Sequence, residues 1–209
     1  MEFRRNIEDK LKAWSQSPFR KPLVLRGARQ VGKTTAVKQF AVNYEQFIYL
    51  NLETDDAKSF EGERDIHKIV DRIFFLKDGE KGKADTLIFI DEIQEVPSAL
   101  NMLRYFYEEY PEYHVIAAGS LLESLFDRDV SFPVGRVDYL YMYPFTFGEF
   151  LEALGERNAL NAYRQVPVPD YAVDKLMQLF HTYTLVGGMP EAVYRYVVTK
   201  EASSALSDK

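Results

Sequence analysis

Residues Gly27 to Thr34 read Gly-Ala-Arg-Gln-Val-Gly-Lys-Thr, and few segments of eight residues restrict a fold as tightly. The pattern Gly-x-x-x-x-Gly-Lys-[Ser/Thr] works only between a strand and a helix, because successive backbone N–H groups must converge on one anion at the helix N-terminus. Both flanks are present: the apolar run Leu23-Val24-Leu25 leads in, and an amphipathic stretch leads out from Lys33. Gly27 and Gly32 permit positive φ and close approach of the backbone to phosphate. The side chain of Lys33 offers a point charge for β and γ phosphates, and that of Thr34 a hydroxyl for Mg²⁺. The helix N-terminus adds partial positive charge. An anion contacting Gly27, Ala28, Arg29, Gln30, Val31, Gly32, Lys33, Thr34 and Thr35 is therefore expected. A glycine-rich turn matching by chance is the competing explanation, and the rest of the chain decides between them.

That rest reads as a layered α/β protein. Five short apolar runs have the character of buried strands: Leu23 to Leu25, Phe47 to Leu52, Thr86 to Ile90, Tyr113 to Ala118 and Tyr139 to Met142. Helical faces separate most of them: Val37, Phe40, Ala41 and Tyr44; then Ile66, Ile69, Val70, Ile73 and Phe74; then Leu100, Leu103, Phe106, Tyr107 and Tyr110, ended by Pro111. Alternating strands and helices imply a mainly parallel sheet covered on both sides. An opening helix, residues 1–18, carries Phe3, Ile7, Leu11 and Trp14 at helical spacing. The polar stretches 54–65 and 78–85 read as surface loops. Beyond the core, 19–144, the pattern becomes purely helical, with Phe147, Phe150, Leu151 and Leu154 on one face and Leu176, Phe180 and Tyr183 on another. Residues 145–198 are thus expected to form a small helical lid, and 199–209 a frayed, disordered tail.

Composition narrows the chemistry. The 209 residues contain no cysteine, which excludes disulfides and thiolate metal sites, and the three histidines have no ligand spacing. A net charge of −6 argues against broad electrostatic capture of nucleic acid. The one basic cluster, Lys10, Lys12, Arg20 and Lys21, reads as solvated surface. No apolar run approaches the ~20 residues that cross a bilayer, and residues 1–5 lack a signal core, so the expectation is a cytoplasmic protein with no membrane partner.

Leu87-Ile88-Phe89-Ile90-Asp91-Glu92 places two acids at the C-terminal end of a buried strand, the edge where ligands gather in open α/β sheets. Asp91 suits Mg²⁺ held through its water shell, and Glu92 suits orientation and deprotonation of the water attacking a γ phosphate. A strand ending in solvated acids is the plain alternative. Guanine recognition by Asn-Lys-x-Asp is absent, and Gln94 stands where a GTPase would carry glycine, so ATP is the expected nucleotide.

With these residues in view, the chain resembles the AAA+ superfamily of P-loop NTPases, the ASCE branch. More narrowly it resembles the bacterial and archaeal ATPases with Gly-x-Arg-Gln-Val-Gly-Lys-Thr-Thr and Asp-Glu-Ile-Gln, here Gly27 to Thr35 and Asp91 to Gln94. Further matching blocks are Gly119 to Leu122, Pro133 to Val137, Pro144 to Phe150 and Gly187 to Glu191.

The resemblance implies a three-layer α/β sandwich with a five-stranded, mainly parallel sheet of order 5-1-4-3-2 and a small helical lid. It also implies ATP/ADP and Mg²⁺ as ligands. Ser120 takes the position that senses the γ phosphate, with a plain turn as the alternative. Arg136 falls where such proteins supply an arginine finger to a neighbouring subunit, or else forms a surface or interdomain salt bridge. Pro190 corresponds to a lid proline touching adenine, although Gly187 and Gly188 ending one helix and Pro190 starting the next need no ligand. The resemblance implies a C-terminal domain of unknown function lying beyond this chain, and it leaves open a homo-oligomer and a partner protein or nucleic acid. The functional expectation is an Mg-dependent ATPase coupling hydrolysis to lid movement, with a slow-turnover ATP/ADP-gated switch as the alternative. Chemistry alone gives Gln94 and Arg29 no role.

Overall fold

The structure, a computed structural model, describes residues 3–120 and 135–201. Parts of four expectations lie outside them: residues 1–2 of the opening helix, Leu121 and Leu122, Pro133 and Val134, and 202–209 of the expected tail. Packing divides the chain into two units, one comprising Asp9–Met142, the other the residues up to Glu8 with those from Tyr143 onward. The sequence pattern places its boundaries after 18, 144 and 198.

In the first unit, five strands form one sheet: β1 (Leu23–Arg26), β2 (Gln46–Asn51), β3 (Thr86–Asp91), β4 (His114–Gly119) and β5 (Asp138–Tyr141). Their order is β2-β3-β4-β1-β5 and every ladder is parallel. Each strand lies within a residue or so of its expected span; for β1, β3 and β4 the reason is burial on both faces, which demands an unbroken apolar run, whereas β2 is only partly buried and β5 lies half-exposed at the sheet edge. All six residues of β3 are buried. One face of the sheet packs Val24, Ile48, Ile88, Ile90, Val115 and Ala117 against α3 (Ile66–Leu76) and α4 (Pro97–Glu109). The alternate residues turn to the opposite face, where α2 (Lys33–Ala41) packs against β3 and β4. Proline at the first turn opens α4, and Tyr110 closes it just before Pro111, where the proline ring disfavours helical backbone.

Two details depart from the sequence reading. Tyr44 lies beyond the end of α2 rather than on its face. Within the stretch read as a surface loop, Thr54 caps a 3-10 turn over Asp55–Ser59, and Ser59 and Phe60 are buried.

The helix α1 (Asn6–Ser15) contributes Leu11 and Trp14 to this unit's core, with Trp14 Nε1 donating to the Lys21 carbonyl at 2.8 Å. The second unit contains α5 (Phe147–Ala153), α6 (Arg157–Tyr163), α7 (Asp170–Val186) and α8 (Pro190–Thr199). Phe145, Phe150, Val186 and Val193 form one part of its core, and Leu151, Leu160, Ala172 and Leu176 are in another. Glu149 is its polar centre. Its carboxylate completes a capping box with Thr146 and accepts from the backbone N–H of Asn6 at 2.7 Å and from Arg5 Nε at 3.1 Å.

Candidate nucleotide site

The parallel ladders bring all five strand ends to one edge, and register says which residues meet there. Gly119 lies beside Arg26, Ala117 beside Ile90, and Asp91 beside Asn51. The loop after β1, Ser120 after β4 and Asp91 at the end of β3 therefore share the C-terminal edge, with β4 between the other two strands. Arg136 stands just before β5, whose first residue Asp138 pairs with Leu23 at the start of β1. It belongs to the opposite edge of the sheet.

The loop from Gly27 to Gly32 takes the form its glycines permit. Gly27 has φ 151° and Gly32 has φ 94°, and Gln30 between them adopts left-handed backbone at φ 64°. A Cβ on Gly27 would lie 2.3 Å from the Met142 carbonyl oxygen, so this glycine also lets the loop pass under the end of β5. Val31 is fully buried and anchors the loop, whereas Ala28, Arg29 and Gln30 are exposed at its crest. No described side chain caps α2 and no acid lies in its first turn, so its N-terminal N–H groups and dipole suit an anion.

The charged side chains gather below this crest. Lys33 is buried, and its Nζ donates to the carbonyls of Gly27 at 2.9 Å and Ala28 at 3.0 Å. Burial lowers its pKa from the ordinary lysine value, against the opposing pull of the Glu92 and Asp91 carboxylates. Asp91 is buried too, and its Oδ2 accepts from Thr34 Oγ1 at 2.8 Å and from Tyr49 OH at 3.3 Å. Burial raises the pKa of Asp91; the Thr34 bond opposes this, and the neighbouring Glu92 charge adds to it. The Tyr49 phenol, desolvated and facing Asp91, is pushed up to about 12 and so stays a donor. A hydroxyl and a carboxylate held together in this way form a hard-oxygen pair that suits Mg²⁺ bound largely through water and phosphate oxygens. Among the described residues no cluster of three or more His, Cys, Asp or Glu offers a metal cage, which this mode of binding does not need.

Glu92 follows in left-handed backbone, φ 53° and ψ 45°. Its N–H donates to Asp91 Oδ1 at 3.1 Å, and its Oε2 accepts from Gln94 Nε2 at 2.6 Å. Ser120 is buried at the same edge. Thr35 is exposed in the first turn of α2, and Arg29 pairs loosely with Glu53 at 3.7 Å. Arg136 Nε donates to Glu108 Oε1 at 2.5 Å, beside Arg104, which bonds the same oxygen at 3.1 Å. Pro190 belongs to the other unit, where it occupies the first turn of α8. Gly188 nearby is needed for close packing, since a Cβ there would lie 2.6 Å from the Phe145 carbonyl oxygen.

Sequence reasoning missed Tyr49 and left Gln94 without a role. Tyr49 looked like one apolar-run residue among several, and only the β2–β3 register brings it to Asp91. Gln94 carried no local signal, because its side chain reaches Glu92 only through the left-handed backbone at Glu92.

A glycine loop after β1, and paired acids on a strand separated from it by β4, define a P-loop module of the AAA+ type. A sequence model of the AAA domain family matches residues 19–151, and the chain belongs to that family. Among solved structures, a Drosophila ORC chain, from the complex bound to DNA, is 14% identical with a TM-score of 0.54 over 96% of this chain and 62% of that one. PCH-2 of C. elegans is 15% identical with a TM-score of 0.54, over 96% of this chain and 64% of that one. This chain thus spans less than two thirds of either, and the likeness is one of fold. No curated protein matches it in sequence. Family and fold together mark it as an AAA-type, nucleotide-binding P-loop module. No described helix is long and apolar enough to cross a membrane.

Proposed function

We propose that this chain binds Mg-ATP in the Gly27–Thr34 loop and hydrolyses it. The observation that carries the reading is the convergence of Lys33, Thr34, Asp91 and Glu92 at one sheet edge, with Thr34 and Asp91 2.8 Å apart. Backbone N–H groups of the loop and the α2 N-terminus bind the phosphates. Lys33, which bonds loop carbonyls here, turns its ammonium to the β and γ oxygens. Thr34 and Asp91 hold Mg²⁺, which when bound neutralises phosphate charge. Glu92 takes a proton from water as the water oxygen bonds to the γ phosphorus; the bond from that phosphorus to the bridging oxygen breaks, releasing ADP and phosphate. Catalysis of this kind is mainly positioning and electrostatics.

Further parts of the proposal rest on the family resemblance. Ser120 senses the γ phosphate. Arg136, on the far edge of its own sheet, serves a neighbouring copy, leaving Glu108 to do so. Pro190 meets adenine, and the helices from Tyr143 onward move with nucleotide state in a cytoplasmic protein. A protein or nucleic-acid partner would read that movement. The internal bonds of Lys33 and Thr34 favour a second reading, a switch that turns over slowly and is gated by ATP or ADP. Steady-state phosphate release with Mg-ATP separates the two. Glu92→Gln should lower release by ~10²- to 10⁴-fold while sparing ATP affinity. Unchanged release would remove Glu92 from the mechanism.

A further inference from the structure

Gln94 is fixed by an unusual turn. Glu95 N–H donates to the Glu92 carbonyl at 3.0 Å and Val96 N–H to that of Ile93 at 3.2 Å, while the Ile93 side chain, fully buried, pins the turn to the core. Residues two apart do not face one another along a helix. Here the left-handed backbone of Glu92 folds the chain so that side chains 92 and 94 meet. The Gln94 Nε2 to Glu92 Oε2 distance of 2.6 Å is that of a short, charge-assisted bond. The same nitrogen is a distant 3.4 Å from Glu95 Oε1. Gln94 Oε1, by contrast, is buried and accepts no hydrogen bond from any described residue. A buried acceptor without a partner is rare enough to need a reason. The amide is oriented to serve Glu92 rather than to satisfy itself.

We infer that Gln94 is a positioning residue for hydrolysis, tethering one carboxylate oxygen of Glu92 so that the other is presented to the attacking water. The inference rests on the hydrolytic role proposed for Glu92. Without the tether the Glu92 side chain samples several rotamers, and the fraction of time spent in the productive one falls.

The variant Gln94→Met keeps length and removes the donor. It should lower kcat for Mg-ATP by roughly 10- to 100-fold, the scale of a misplaced catalytic group, with KM, calorimetric Kd for ATP and melting temperature unchanged. A second readout is independent of turnover: the side-chain amide ¹H–¹⁵N resonances of Gln94 should move in Glu92→Gln without nucleotide, because the charged acceptor is gone. Full kcat in Gln94→Met, loss of kcat together with binding and melting temperature, or unmoved amide resonances would each overturn the inference. A wild-type protein that binds ATP without turnover would overturn the hydrolytic reading, and the inference with it, before any Gln94 variant is measured.

Discussion

Replacing Glu149 by alanine should destabilise the helical unit more than any single change on its surface. The carboxylate accepts hydrogen bonds from Arg5 Nε at 3.1 Å, Asn6 N–H at 2.7 Å, Thr146 N–H at 2.8 Å and Thr146 Oγ1 at 3.0 Å. Arg5 is only 6% exposed and Glu149 only 5%, so the guanidinium left behind cannot be solvated in place. Its remaining contacts include the Tyr143 carbonyl at 2.7 Å and the face of Phe145. Breaking a buried pair by removing one partner costs about 3–5 kcal/mol, well above the ~1 kcal/mol of an exposed pair. At ~2–4 °C per kcal/mol for a chain of this size, a fall of roughly 10 °C in melting temperature is expected by circular dichroism. Burial alone would raise the pKa of Glu149, but the N–H groups of Thr146 and Asn6 and the Arg5 charge together hold it below the ordinary glutamate value of 4.5. The contribution is therefore complete above pH 4.5 and is lost as pH falls through the depressed folded value. The gap between wild type and Glu149→Ala should narrow in acid. A shift of a degree or two at pH 7, or a gap independent of pH, would refute the argument.

Gly27→Ala sets a methyl 2.3 Å from the Met142 carbonyl oxygen at a φ of 151°, so it should lower both stability, by about 1–3 kcal/mol, and nucleotide binding, as read by thermal melts with and without Mg-ATP. Arg136→Ala should preserve ATP binding and lower hydrolysis by ~10³- to 10⁵-fold if the side chain acts on a neighbouring copy; rates unchanged across protein concentrations would leave only its pairing with Glu108. Asp91 has a raised pKa, so its ionisation opposes folding as pH rises through that value. Asp91→Asn should leave the nucleotide-free protein at least as stable at pH 7 while weakening stabilisation by Mg-ATP, which a melt in each condition checks.

The strands and the motif were legible for the same physical reason. A parallel strand such as β3, buried on both faces, leaves an unbroken apolar run, and a phosphate loop leaves glycines at fixed spacing. The helix α6 escaped notice because its buried residues, Ala159, Leu160 and Ala162, are mostly small and mark no clear apolar stripe. Phe60 was hidden in a polar stretch whose one large apolar group turns inward. The Arg5–Glu149 pair joins residues 144 apart, and no local pattern announces it. At the site, Asp91 and Glu92 were readable from their place at a strand end. Tyr49 and Gln94 were not, since one depends on strand register and the other on a single left-handed residue.

Calorimetric titration of the protein with Mg-ATP, in parallel with Lys33→Ala, goes to the centre of this account. One binding site per chain, lost or severely weakened when the Lys33 ammonium is removed, is predicted. At ATP 100-fold above its dissociation constant, that binding should add ~2.7 kcal/mol to the stability of the wild type alone. No heat from the wild type, or equal binding by Lys33→Ala, would contradict it.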